Sequence, residues 1–155
     1  MEQRDLWLCS SDDELSAQCV LEFFKGSGNG GQKRNKTSSA VRVRHIPSGF
    51  SAEDCSGRSQ HANRHKALQK LRLKIALNIR CAPGNLPRSA VSLIHEDYPW
   101  CCAVLLDHLA AFNWQPKLAS ESLGMSTSKL IKYLYRDPAL WQHVNSKRLI
   151  PLNVP

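Results

Sequence analysis

The chain has 155 residues, is 42% apolar, and carries 21 Lys and Arg against 13 Asp and Glu for a formal charge of +8. That length and apolar content suit one domain, or a small domain with an appendage, and argue against a multidomain enzyme and against wholesale disorder. Residues 1–24 hold one basic and six acidic residues, residues 25–80 hold thirteen and two, and residues 81–155 hold seven and five, so one segment is suited to a polyanion, with nucleic acid favoured over an anionic membrane.

Met1 to Glu14 is acidic and resembles neither a signal sequence nor a transit peptide. No run approaches the roughly 18 apolar residues of a membrane span, so no membrane partner and a cytoplasmic location are expected. Ser10-Ser11-Asp12-Asp13-Glu14 starts a short helix to about Gln18, with a hydroxyl cap and carboxylates where the helix dipole favours them. Cys19 to Phe24 alternates as a strand, and Lys25-Gly26-Ser27-Gly28-Asn29-Gly30-Gly31 must be a loop, because four glycines in seven residues suit neither strand nor helix. Ala40 to Ile46 resumes a strand with Val41, Val43 and His45 on one face and Arg42 and Arg44 on the other. Pro47-Ser48-Gly49 turns the chain, and Phe50 to Cys55 returns as a hairpin partner. Ser59 to Arg80 is a helix, with Leu68, Leu71, Ile75 and Ile79 at helical spacing and Leu73, Ala76 and Leu77 widening the apolar surface.

Cys81 to Pro99 holds three prolines and Gly84 and reads as a linker. Four short helices follow, over Trp100–Phe112, Pro116–Leu123, Ser126–Tyr135 and Pro138–Val144, separated by Asn113-Trp114-Gln115, Gly124 and Asp137-Pro138; Leu149 to Pro155 is extended. The expected fold is therefore α+β: a small antiparallel sheet or hairpin packed on one long helix, then a small all-helical module. Three regions result, with a catalytic-type domain at 1–80, a linker at 81–99 and a helical module at 100–155.

The six cysteines form no CxxC pair, which points to reduced thiols rather than disulfides. Neither Cys101-Cys102 with His95 and His108, nor His61 and His65, has a metal-site pattern, so no metal and no cofactor are expected.

Chemistry concentrates in Gly28-Asn29-Gly30-Gly31-Gln32-Lys33-Arg34-Asn35. Glycines let a backbone approach a partner with no Cβ in the way. Gln32 cannot titrate, so it is no acid or base by itself. What such a loop can offer is a backbone N–H and a neutral amide placed deep in a site largely built by a partner. Ester hydrolysis by water suits that offer, because a preorganised N–H stabilises the developing oxyanion. The phosphate-loop pattern GxxxxGK[ST] is absent.

The surroundings extend the motif: Ser27-Gly28-x-Gly30-Gly31-Gln32-x-x-Asn35-x-Thr37-x-Ser39-Ala40-Val41-Arg42, then His45-x-Pro47-x-Gly49, then Arg58-Ser59-Gln60-x-x-Asn63-Arg64-x-x-Ala67. Over residues 18–80 this resembles the catalytic domain of class I peptide chain release factors and of their short relatives that rescue stalled ribosomes. The resemblance implies that Gly30, Gly31 and Gln32 are catalytic, entering the peptidyl transferase centre where water cuts the ester of P-site peptidyl-tRNA, and that Gln32 is a target for N-methylation. It implies that Lys33, Arg34, Lys36, Arg42, Arg44, Arg58, Arg64 and Lys66 contact phosphates of large-subunit rRNA. Asn35, Thr37, Ser39, Ser59, Gln60 and Asn63 are expected to fix the loop or to hydrogen-bond rRNA. His45, on the face of Val41 and Val43, is expected to be a buried residue that shapes the hairpin.

The chain departs from the family in two ways. Little of it is left for codon-reading domains, so codon-independent release is expected. The basic tail of the rescue factors has only Lys147 and Arg148 in its place among the last eleven residues. The chain is expected to act as a monomer. Leu118 to Leu130 resembles a helix-turn-helix start, with Gly124 at the turn, Ser126 as cap, and Lys129, Lys132 and Arg136 on the second helix. A helical hairpin with Leu118, Leu123, Leu130 and Leu134 as core is the favoured reading, and residues 100–155 are expected to dock on the ribosome or a protein rescue partner. Two rival functions remain: a nucleic-acid-binding regulator using this segment, and a ribosome-associated factor that does not hydrolyse.

Overall fold

The computed structural model describes residues 1–25, 38–86 and 91–148. In chain order the elements are α1 (Gln3–Cys9), α2 (Asp12–Ser16), β1 (Cys19–Phe24), β2 (Ala40–His45), β3 (Ser51–Asp54), α3 (Gln60–Asn78), α4 (Tyr98–Ala111), α5 (Pro116–Ser122), α6 (Thr127–Tyr135) and α7 (Pro138–Ser146). The fold is α+β, with a three-stranded antiparallel sheet in the order β1-β2-β3. The chain forms two compact units, one of Met1 with Leu6–Ile75 and one of Glu2–Asp5 with Ala76–Pro155.

In the first unit, Phe24 pairs with Ala40 and Cys19 with His45, while Val41 pairs with Asp54 and Val43 with Ala52. Alternation along β2 buries Val41, Val43 and His45 and leaves Arg42 and Arg44 exposed. Leu15, Ala67, Leu68, Leu71 and Ile75 complete the core. Gly49 takes the turn at φ +73° and donates its N–H to the His45 carbonyl (2.9 Å). His45 Nδ1 lies 2.8 Å from Ser48 Oγ and accepts from the Ser48 N–H at 3.3 Å, while its ring meets that of Trp7 edge-on at 4.7 Å. Burial lowers its pKa, which keeps the ring neutral as a packing group of the hairpin, as the alternation predicts.

The hydroxyl cap expected at the start of α2 is Ser11, in a capping box: Ser11 accepts from the Glu14 N–H, and Glu14 accepts from the Ser11 N–H. Helix α1 was not anticipated from sequence.

Helix α3 is clamped on two sides. Lys66, Lys70 and Lys74, four residues apart and hence on one face, donate to Ser56 Oγ (2.9 Å), Asp54 (2.7 Å) and the Ser51 carbonyl (3.0 Å) in turn, so the helix runs antiparallel to β3. On another side Arg64 and Arg72 reach Asp13 (3.0 Å) and Asp12 (2.6 Å), and His65 shares Asp12. Burial pushes the Asp12 carboxyl up, and the bonds from His65 and Arg72 outweigh it, leaving its pKa lowered.

Asp54 gives a pH prediction. Burial raises its pKa, but Lys70 with the hydroxyl and N–H of Ser56 bring it down to about 2. A carboxyl lowered on folding contributes stability that is full above its unfolded value near 4 and is lost as pH falls towards 2. Urea unfolding between pH 5 and pH 2 should show on the order of 2 kcal/mol of acid loss that Asp54→Asn no longer shows.

In the second unit the core is Val91, Tyr98, Cys101 to Leu106, Leu109, Ala119, Leu130, Leu134, Leu140 and Val144. Leu118, expected as core, is 40% exposed. Ala119 and Ser120 are buried in its place, because small residues let α5 approach its neighbour more closely than leucine would. Asn113 and Trp114, both at positive φ, separate α4 from α5. Asp137 caps α7 through the Ala139 N–H (2.9 Å) and accepts from Tyr98 Oη (2.7 Å). His108 Nε2 donates to the Gly84 carbonyl (2.9 Å), which leaves Nδ1 to accept from Ser122 Oγ (2.9 Å).

Candidate functional site

Strands β1 and β2 end in the pair Phe24 and Ala40, so the chain between them leaves and re-enters the sheet at neighbouring points. Gly30, Gly31, Gln32, Lys33, Arg34, Asn35, Lys36 and Thr37 belong to this connection and lie outside the described residues. The site can be built from its stem.

The stem is locked by the start of α3. Ser59 caps the helix: its carbonyl accepts from the Asn63 N–H (3.0 Å) and its hydroxyl from the Ala62 N–H (3.4 Å). Gln60 Nε2 donates to the Ser38 carbonyl at 2.5 Å. Asn63 is fully buried. Its Nδ2 donates to the carbonyls of Ser39 (2.7 Å) and Gly57 (3.0 Å), and its Oδ1 accepts from the Gly57 N–H (2.8 Å). One amide thus ties the last residue before β2 to the turn before α3. Ser39 is itself buried. The bonds of Gln60 and Asn63 thus fix the stem residues Ser38 and Ser39.

The predicted cations separate into two groups. Arg42 sits across from Glu22 and Glu53 in register and pairs with both (3.4 and 2.9 Å), while its guanidinium lies 5.2 Å from the Phe24 ring centroid. The hydrogen bond to Glu53, the charge of Glu53 and then the contributions of Glu22 hold the Arg42 pKa up. Arg64 is engaged by Asp13 and Lys66 by Ser56. Arg44 and Arg58 are exposed and have no carboxylate partner among the described residues. Arg58 stands two residues from Gln60, at the end of α3 that holds the stem.

Phe23 lies on the core face of β1, opposite Val41, yet is 51% exposed, which gives the stem an apolar edge. Sequence reasoning missed Gly57: an added Cβ would stand 2.8 Å from Asn63 Oδ1. Its place beside Arg58-Ser59-Gln60 was the available signal. It also missed Arg72, buried against Asp12 and the Ser10 carbonyl (2.8 Å), whose signal was a charge four residues after Leu68 in the apolar stripe. Among the described residues no cluster of His, Cys, Asp or Glu could hold a metal ion, and no helix is long and apolar enough to cross a membrane.

Comparison with known proteins bears on the same segment. Residues 14–83 match the family model described as RF-1 domain. Among curated proteins, peptide chain release factor 1 of Paracidovorax citrulli and that of Acidovorax sp. (strain JS42) are each 56% identical over 59 residues, and that of Delftia acidovorans is 54% identical over the same length. Each match covers 38% of this chain and 16% of the relative. The shared part is therefore a small fraction of those release factors. From Glu14 in α2, through the sheet and the stem lock, to just past the end of α3, residues 14–83 are similar to the RF-1 domain.

Proposed function

We propose that the chain is a ribosome-dependent peptidyl-tRNA hydrolase that releases the nascent peptide without reading a codon, as in ribosome rescue. Gly30, Gly31 and Gln32 enter the peptidyl transferase centre. Water attacks the carbonyl carbon of the ester, the bond to the ribose oxygen of the terminal nucleotide breaks, and the peptide leaves as a carboxylic acid while the tRNA regains its hydroxyl. The Gln32 backbone N–H stabilises the oxyanion, and its amide orients the water and excludes larger nucleophiles. Gln32 is the methylation target. Arg44 and Arg58, with Lys33, Arg34 and Lys36, hold rRNA phosphates in a salt-sensitive manner. The protein acts as a cytoplasmic monomer, and residues 100–155 serve docking.

The observation that carries this reading is the match of residues 14–83 to the RF-1 domain model, with Gly30-Gly31-Gln32 in the connection between β1 and β2. The locked stem supports it, since a donor must be preorganised to stabilise charge. The test is peptide release from purified ribosomes carrying P-site peptidyl-tRNA, with empty, short-mRNA and stop-codon A sites compared. Wild type should release on the first two. Gln32→Pro, which removes the backbone N–H, should lose on the order of 10²-fold in release rate, and Gly31→Ala and Gln32→Ala, which keep that donor, should lose less, all with ribosome affinity nearly unchanged. Equal release by wild type and variants would overturn the proposal.

A further inference from the structure

Helices α5 and α6 are joined by the four residues Leu123–Ser126. Gly124 takes φ +65° there, donating to the Glu121 carbonyl (3.1 Å), and Met125 donates to the Ser120 carbonyl (3.0 Å). Ser126 caps α6 by accepting from the Lys129 N–H. Across the turn, Ser120 Oγ and Thr127 Oγ1 meet at 2.9 Å, and Ser120 is buried. A short glycine-bearing turn between two helices in close contact is the build of a helix-turn-helix. Leu130 and Leu134 anchor α6 in the core. That leaves Ser128, Lys129, Lys132 and Tyr135 on its exposed side, at the spacing that places them on one face.

This face is cationic. Residues 122–136 contain Lys129, Lys132 and Arg136 and no carboxylate. Among the described residues neither lysine has an acidic partner, and Lys117 on α5 is exposed as well. Arg136 is engaged, donating to the Val91 carbonyl (2.8 Å) with its guanidinium over the Tyr133 ring. What remains is two ammonium groups and two hydroxyls. The planar side chains Arg, Asn and Gln, which read base edges in fixed pairs of hydrogen bonds, are missing from positions 128, 129, 132 and 135, where the lysines offer point charges suited to phosphates. Such a face grips a backbone and does not read sequence. Hydroxyls beside ammonium groups match the ribose 2′-hydroxyls and phosphates that an A-form duplex displays across its shallow groove.

We infer that the exposed face of α6, centred on Lys129 and Lys132, is a second RNA-binding site that holds duplex RNA through its backbone. It goes beyond ester cleavage and needs none of the residues assigned to that reaction. The test uses the full chain, a labelled RNA hairpin and the DNA hairpin of the same sequence, with fluorescence anisotropy read over a range of salt. Combining Lys129→Ala with Lys132→Ala should weaken RNA binding on the order of tenfold per lysine at about 0.1 M salt and reduce the slope of log affinity against log salt by about two. Arginine at both positions should restore binding, and the loss on DNA should be smaller. Gln32→Ala should leave hairpin affinity unchanged, so a failure of the release reading and a failure of this site are told apart. Unchanged RNA affinity and slope in the alanine pair, with an unaltered circular dichroism melt, would overturn the inference; so would a loss on DNA equal to or greater than that on RNA.

Discussion

Replacing Asp107 by alanine is expected to destabilise the second unit by about 3 kcal/mol, because it removes one of the two carboxylates that hold the buried Arg4, Asp5 being the other (2.6 Å), and leaves the Cys81 N–H without its acceptor. Asp107 lies inside α4 and is fully shielded from solvent, as is its partner Arg4. Arg4 Nη1 approaches the two carboxylate oxygens at 2.8 and 2.7 Å and donates to the Ile79 carbonyl at 3.1 Å. The Cys81 N–H donates to the same carboxylate at 3.0 Å, and Arg80 stands 3.5 Å away. Burial raises the Asp107 pKa, and the Cys81 N–H, Arg4 and Arg80 do not fully offset it; burial likewise brings Arg80 down to about 10. Folding thus disfavours the charge on Asp107, whereas for Arg4 desolvation is outweighed by Asp5 and Asp107 and its pKa is raised, so the cost of burial falls on the carboxylate and breaking the pair adds to it. The double variant Arg4→Met with Asp107→Leu should therefore recover much of what Asp107→Ala loses. Thermal melts followed by circular dichroism should show the single variant lower by more than about 10 °C, with the double variant between it and wild type. A single variant as stable as wild type would refute the account.

This cluster also shows where the sequence was legible and where it was not. Strand β1 was readable residue by residue, because Cys19 to Phe24 alternates and the glycines after it admit neither strand nor helix. The start of α2 and the turn at Gly124 were readable for the same reason: caps and positive-φ glycines act over a few residues. Arg4 and Asp107 are 103 residues apart, and nothing local to the short helix α1 announces that it carries a buried cation. The one signal was Asp107 itself, the only carboxylate in the apolar run from Trp100 to Phe112. Charge was similarly half legible. The basic excess of residues 25–80 was plain, but which cations remain unpaired depends on tertiary register. Arg64, Lys70 and Arg72 meet carboxylates of α2 and β3, while Arg44 faces Val20 and Ser51 across the strands and keeps its charge exposed. For the candidate site, the motif was visible in the sequence. The lock that holds its stem was visible only as residue types, since a buried asparagine bonded to two distant carbonyls has no local pattern.

That lock predicts the second large effect. Asn63→Leu keeps the approximate size of the side chain and removes every hydrogen bond it makes, leaving the Ser39 carbonyl and both polar groups of Gly57 without this partner. At about 1–3 kcal/mol for each buried group left unsatisfied, and with Ser39 and Asn63 the more deeply buried ends, a loss of roughly 3 kcal/mol in the first unit is expected. Asn63→Asp should be no milder, because it turns a donor facing two carbonyls into an acceptor. Gly57→Ala approaches the same lock from the other side. Its Cβ would stand 2.8 Å from Asn63 Oδ1, and Asn63 is already held by its other bonds, so the amide must shift and weaken them. If the lock positions the loop for chemistry, a residue far from the reacting ester gains a kinetic signature. Gly57→Ala, measured below its melting range, should lower the rate of peptide release from saturated ribosomes while leaving ribosome affinity close to wild type. Gln60→Ala, which removes only the exposed bond to Ser38, should do so more weakly. A Gly57→Ala protein that is destabilised yet releases peptide at the full rate would show that the lock serves the fold alone.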